Sequence, residues 1–155
     1  MKIELTKEQY LNLLKLVYLG EWMANAHRTE DRIEKYENSL SQILSYAKDF
    51  GFSDYADDEE VGDGRIYPTR KFEEETGVHD LHDEYDEDTF WDELIDRLKG
   101  RDFFKHYKKE ELEKMTQDEY FDNLGKFTDK WEEEFEKHGI DRLKIKRSIM
   151  EFFKK

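Results

Sequence analysis

The stretch "GVHDLHDEYDEDTFWDEL", residues 77–94, carries the side chains best suited to chemistry in this chain. His79 and His82 stand three apart, and on a helix that spacing puts both imidazoles on one face. Asp80 and Asp83 sit beside them, Asp86 follows, and these carboxylates would add hard oxygen ligands to the two nitrogens, a donor set that suits zinc, manganese or iron. An ion held there would act as a Lewis acid and lower the pKa of an attacking water, which is the chemistry of metal-dependent hydrolysis. Without a metal, the same stretch is a dense carboxylate surface whose histidines cap or pair with their neighbours.

The dipeptide His-Asp occurs twice, at 79–80 and 82–83. In this respect the chain resembles the all-helical HD-type phosphohydrolases, whose metal-binding dipeptide has the same composition. The resemblance implies a divalent metal as cofactor, an upstream histidine, for which His27 is available, and a downstream aspartate, for which Asp96 is the nearest helical choice. The sequence departs from that family in placing the dipeptides in a polar, acidic loop and not in an apolar helix. We therefore expect no cofactor, and keep a metal-dependent hydrolase as the alternative.

Other reaction classes find less. There is no cysteine, so disulfides, thiolate metal sites and cysteine nucleophiles are excluded. No Gly-x-x-x-x-Gly-Lys-Ser/Thr loop, dinucleotide fingerprint or Gly-x-Ser-x-Gly elbow is present. The glutamates at 132–134 are consecutive, so on a helix they fan apart and make no catalytic pair.

The charge is unevenly placed. Residues 54–96 hold 18 of the 40 acids against only Arg65, Arg70 and Lys71, so this segment accounts for the whole excess of negative charge. General solubility does not require such a concentration, whereas a local acidic surface produces it. We expect Asp57, Asp58, Glu59 and Glu60, with Asp83, Glu84, Asp86 and Glu87, to form a surface for a basic protein. Tyr55, Ile66, Tyr67, Phe72, Val78, Leu81 and Tyr85 are interleaved with these acids, which a purely solvated tether does not need. DNA and RNA are polyanions, so direct nucleic-acid binding is not expected. The N-terminus lacks a secretory pattern, and the most apolar run, residues 10–26, carries Asn12, Lys15 and Glu21, which suits no membrane span. A cytoplasmic, non-enzymatic interaction protein (inhibitor, immunity- or antitoxin-like, or adaptor) is the function expected.

The elements that must position these residues follow from periodicity. The length suits a single domain, 1–155, and 23 aromatic residues supply a core despite only 36% hydrophobic content. Thr6 precedes a helical stripe of Tyr10, Leu13, Leu14, Val17, Tyr18 and Trp22. Thr29 reads as the cap of a second helix carrying Ile33, Leu40, Leu44 and Ala47 and stopping at Gly51. Residues 52–87 read as an extended acidic connection, with a short strand at 65–69. Helices are expected from Asp88 to Gly100, over 101–115 with Phe104 inward, and from a capping box at 116–119 to Gly139. The tail, 140–155, alternates like a strand that would pair with Ile3–Leu5, and also fits a helix. The fold class expected is mainly α, a bundle of about five helices with a minor two-stranded β pairing of the termini.

Overall fold

The computed structural model describes residues 3–57 and 64–144. Within them the chain is mainly α-helical with a minor two-stranded antiparallel pairing. In order come α1 (Lys7–Asn25), α2 (Glu34–Leu44), β1 (Ala56–Asp57), β2 (Tyr67–Pro68), α3 (Arg70–Thr76), α4 (Val78–His106), α5 (Lys109–Leu112) and α6 (Gln117–His138). No helix among the described residues is long and apolar enough to cross a membrane. Contacts divide the chain into two compact units, Met1–Asp86 and Glu87–Lys155.

The first unit is built on α1. Its start is fixed by a capping box, in which the Thr6 hydroxyl accepts from the Gln9 N–H at 3.2 Å and the Gln9 side chain accepts from the Thr6 N–H at 2.9 Å. Tyr10, Leu14 and Tyr18 are buried against Leu40, Leu44, Ala47, Phe72 and Val78. The Tyr10 ring stacks on Phe50 at 4.2 Å, and its hydroxyl donates to the Ile43 carbonyl at 2.8 Å, so the polar end is satisfied inside the core.

The turn after α1 corrects one sequence expectation. Thr29 is not a cap; α2 begins at Glu34 after Ile33, with no side-chain cap. The reason is tertiary. Asn25, 1% exposed, accepts from the Ile33 N–H at 2.7 Å and donates to Glu21 at 2.9 Å. Arg28 donates to the Ala24 carbonyl at 2.9 Å, and Arg32 bridges Glu21 and Glu37. These bonds tie residues 26–33 to the end of α1, so they do not wind into the next helix.

The stretch expected to be extended over 52–87 is extended only in part. A short 3₁₀ turn at Ser53–Tyr55 leads into β1, which pairs with β2 in the register Ala56 to Pro68 and Asp57 to Tyr67. The small sheet of the described residues therefore lies here. Ile3–Leu5 form no strand, and residues 145–155 of the expected partner lie outside the described residues. The Ile66 N–H donates to the Ser41 hydroxyl at 2.9 Å, and Arg65 donates to Asn38 at 3.0 Å, which fastens this strand to α2. Thr69 then caps α3, accepting from the Phe72 N–H at 3.3 Å while its hydroxyl donates to the Asp54 carbonyl at 2.6 Å. Gly77, with φ at 69°, ends α3, and α4 follows at once. Phe72 and Val78 are fully buried and hold this acidic, helical stretch on the core.

The second unit corrects two more boundaries. Asp88 does not start a helix and Gly100 does not stop one; α4 runs through both. A glycine inside a helix costs about 1 kcal/mol relative to alanine but ends it only by turning to positive φ, which Gly100 does not do. Phe103, not Phe104, faces inward: it is ringed by Tyr107, Tyr120 and Phe127 at 5.0–5.7 Å, whereas Phe104 is 61% exposed. The capping box at Thr116 and Glu119 opens α6 as expected, and Gly139 ends it. Trp91 and Trp131 flank the buried Phe135.

Two outcomes follow. Asn25→Ala leaves the partly buried Ile33 N–H without its acceptor, so it should destabilise the fold by about 1–3 kcal/mol in urea unfolding. Burial first, and the nearby Asp49 second, push the Tyr10 hydroxyl from 10.0 up to about 12. Because an unfolded tyrosine ionises first, the stability tied to a neutral Tyr10 is complete below pH 10 and is lost as pH rises through 12. Tyr10→Phe should flatten that alkaline loss.

Candidate functional site

The first two turns of α4 carry the residues that the sequence singles out. Asp80 lies in the first turn, where the helix dipole favours a carboxylate. His79 and His82 share the helix but have different surroundings. His79 turns to α3, its Nε2 3.6 Å from Glu73 Oε2. His82 packs edge-on against Trp22 of α1 with ring centroids 3.7 Å apart. Its Nδ1 and Nε2 lie 3.0 Å from Asp83 and Asp86 respectively, but neither approach is aligned as a hydrogen bond. They are joined by proximity and not by directional bonding.

The ligand set expected of His79, Asp80, His82 and Asp83 is thus not gathered at one point. Among the described residues no three histidine, aspartate or glutamate side chains converge in a way that would hold a metal ion. Asp96, the downstream aspartate implied by the resemblance, belongs to the second unit and pairs with Lys99. A three-residue spacing guarantees a shared helix face, but it does not aim two imidazoles at the same atom.

The carboxylates present a coherent pattern instead. In the first unit Asp80, Asp83, Glu84 and Asp86 are all exposed on α4, with Leu81 and Tyr85 exposed between them. None of these four acids faces a lysine or arginine among the described residues, although His82 lies beside Asp83 and Asp86. Several other acids of this unit are compensated. Glu21 and Glu37 meet Arg32, Glu37 also meets Arg65, Glu74 meets Arg70, and Asp54 meets Lys71, which holds the Asp54 carboxyl below its ordinary pKa.

The second unit's part of α4 is similar. Glu87 accepts from the Trp91 indole at 2.6 Å, while Asp88 and Asp92 have no cationic partner among the described residues. Asp80 and Glu84, and again Asp88 and Asp92, stand four apart on the helix. Each such like-charge pair costs about 0.2–0.5 kcal/mol in helix stability.

Of the other acids expected at this surface, Asp57 is exposed on β1, opposite Tyr67. Asp58, Glu59 and Glu60 lie outside the described residues. Sequence reasoning missed the ion-pair network of Glu21, Arg32, Glu37 and Arg65. A signal was present: the acidic segment's only three bases, Arg65, Arg70 and Lys71, each pair with a carboxylate, so an isolated base in an acidic run marks a contact within the fold.

The chain matches no known family model, and no characterised protein or solved structure shows significant similarity to it.

The separate surroundings of the histidines have a measurable consequence. Manganese, zinc or iron should produce only a small, unselective change in melting temperature, and His79→Ala/His82→Ala should leave it unaltered. A histidine-dependent rise of several degrees, the size expected for about 2.7 kcal/mol of binding at a hundredfold excess over Kd, would restore the hydrolase reading.

Proposed function

We propose that the chain is a non-enzymatic interaction protein that docks a basic protein partner through the acidic outer surface of α4. One observation carries this reading: Asp80, Asp83, Glu84 and Asp86 have no arginine or lysine partner among the described residues, whereas Glu21, Glu37, Asp54 and Glu74 of the same unit do. Exposed carboxylates left unpaired at helical spacing raise the energy of the free chain, and a row of lysines or arginines from a partner would remove that repulsion. Such a surface steers a basic partner at long range. Leu81 and Tyr85, exposed among the acids, supply the aliphatic and aromatic contacts that fix orientation once the charges have met.

The same negative surface disfavours direct contact with nucleic acid and suits an inhibitor, an immunity- or antitoxin-like protein, or an adaptor. The proposed setting is cytoplasmic. No observation favours a hydrolytic reading over this one.

Affinity capture with the full chain identifies the partner, and a triple variant tests the surface. Asp83→Asn, Glu84→Gln and Asp86→Asn together remove three charges at about 0.5 kcal/mol each, which weakens binding roughly tenfold. Added salt should weaken the wild-type complex in the same direction by screening exposed charges. Circular dichroism and melting temperature of the triple variant should match or exceed the wild type. Undiminished partner retention by a folded triple variant would move the surface elsewhere.

A further inference from the structure

The first unit contains a cavity of about 220 Å³ bounded by Tyr18, Glu21 and Trp22 of α1, Glu37 of α2, Tyr67 of β2 and Glu73 of α3. Drug-sized ligands occupy pockets of about 300–1,000 Å³, so this one suits a single side chain and is too small for a nucleotide.

Its charges are not equally satisfied. Glu37 is bridged by Arg32 and by Arg65, the latter at 3.0 Å. Glu21 accepts from Arg32 at 3.0 Å and from Asn25 at 2.9 Å. Glu73 is the one acid of the cavity wall with no arginine or lysine partner among the described residues. Its Oε1 accepts from the Tyr18 hydroxyl at 2.9 Å, and its Oε2 faces His79 at 3.6 Å. Burial first, and Glu73 second, push the ionisation of Tyr18 well above its ordinary value, so this hydroxyl stays a neutral donor and does not cancel the carboxylate. Three glutamates and two arginines leave the wall one negative charge in excess, and both arginines are already engaged. The aromatic rings of Trp22 and Tyr67 line the same cavity.

We propose that this cavity receives one arginine side chain of the basic partner, with Glu73 as its counter-ion and Trp22 as the aromatic surface on which the guanidinium rests. The inference rests on the reading that the partner is basic and adds the residue that anchors it. Arginine fits better than lysine because a planar, weakly hydrated guanidinium can stack on a ring while donating to a carboxylate. Such a seated arginine has the makeup of an interface hot spot, where a few desolvated anchors carry most of the affinity.

The test uses n-butylguanidinium as the isolated side chain, titrated into the full chain and followed by NMR of the indole N–H groups. The chain has three tryptophans, so Trp91 and Trp131 act as internal controls for Trp22. The Trp22 signal should shift saturably with Kd of about 1 mM or weaker, the range open to a fragment this small, while the other two stay in place. Glu73→Gln keeps an acceptor for Tyr18 and should weaken binding roughly tenfold, as expected when a charge-assisted hydrogen bond becomes a neutral one. Glu74→Gln, on the same helix but off the cavity wall, should bind as the wild type does. n-Butylammonium should bind more weakly than the guanidinium.

Shifts that are equal in Glu73→Gln, absent, or shared by all three indoles would overturn the proposal. Two further outcomes separate it from the function above. If n-butylguanidinium occupies the cavity but no basic protein is retained, the arginine is not a partner's and the proposal falls with that reading. If the partner binds wild type and Glu73→Gln alike, the arginine anchor falls and the acidic docking surface stands.

Discussion

Burial of Phe72 is the contact on which the rest of the first unit depends. Its ring meets Tyr18 edge-on at 5.2 Å and Tyr55 at 5.7 Å, and none of it reaches solvent. Removing a buried phenylalanine typically costs about 3–5 kcal/mol, a large share of the 5–15 kcal/mol that holds a domain together. The position of the ring sets those of its neighbours. Glu73 comes beside the Tyr18 hydroxyl, Thr69 comes within reach of the Asp54 carbonyl, and Gly77 is left where α4 must start. A single aromatic side chain thus converts an acid-rich stretch of sequence into an ordered surface.

Once that surface is ordered, its charges fall into two groups with different physical roles. Glu21, Glu37, Asp54 and Glu74 are matched by arginine or lysine, and the matches involving Arg32, Arg65 and Lys71 join segments distant in sequence. Ion pairs near the surface contribute little stability singly, but here they choose which loop lies against which helix. Asp80, Asp83, Glu84 and Asp86 contribute no such cross-link. Glu73 stands between the two groups: it is fixed by a tyrosine hydroxyl, so its position is set while its charge remains.

Where local chemistry decides, the sequence is legible. Thr6 and Thr116 are recognisable caps because each has its reciprocal partner three residues on, and both helices begin there. Thr29 and Asp88 are equally good caps by residue type, yet both fail. Asn25 and Arg32 hold the first out of a helix, and the second is overrun by a helix already started at Val78. The helical character of 70–87 is hidden because only Phe72 and Val78 mark the buried side, which is too few for a visible period. Phe103 and Phe104 are adjacent and chemically identical, so the choice between them depends on a register that only the uninterrupted α4 defines. The acids of α4 were legible as a surface because exposed charge needs no partner to be read. The cavity was not, since its walls come from α1, α2, β2 and α3 and no spacing along the chain connects them.

The left-handed conformation of Gly77 determines how this sequence tolerates change. Aspartate and glutamate on the outer surface of α4 interchange without disturbing any packed atom, so mutational drift there alters little beyond side-chain length. At Gly77, with φ at 69°, any side chain meets backbone strain, and a Cβ would lie 3.4 Å from the Asp80 carboxylate. The segment therefore combines many permissive positions with one rigid one. In a library of random variants selected for folding alone, codons for the acids should scatter among polar residues, while the codon at position 77 should remain almost entirely glycine.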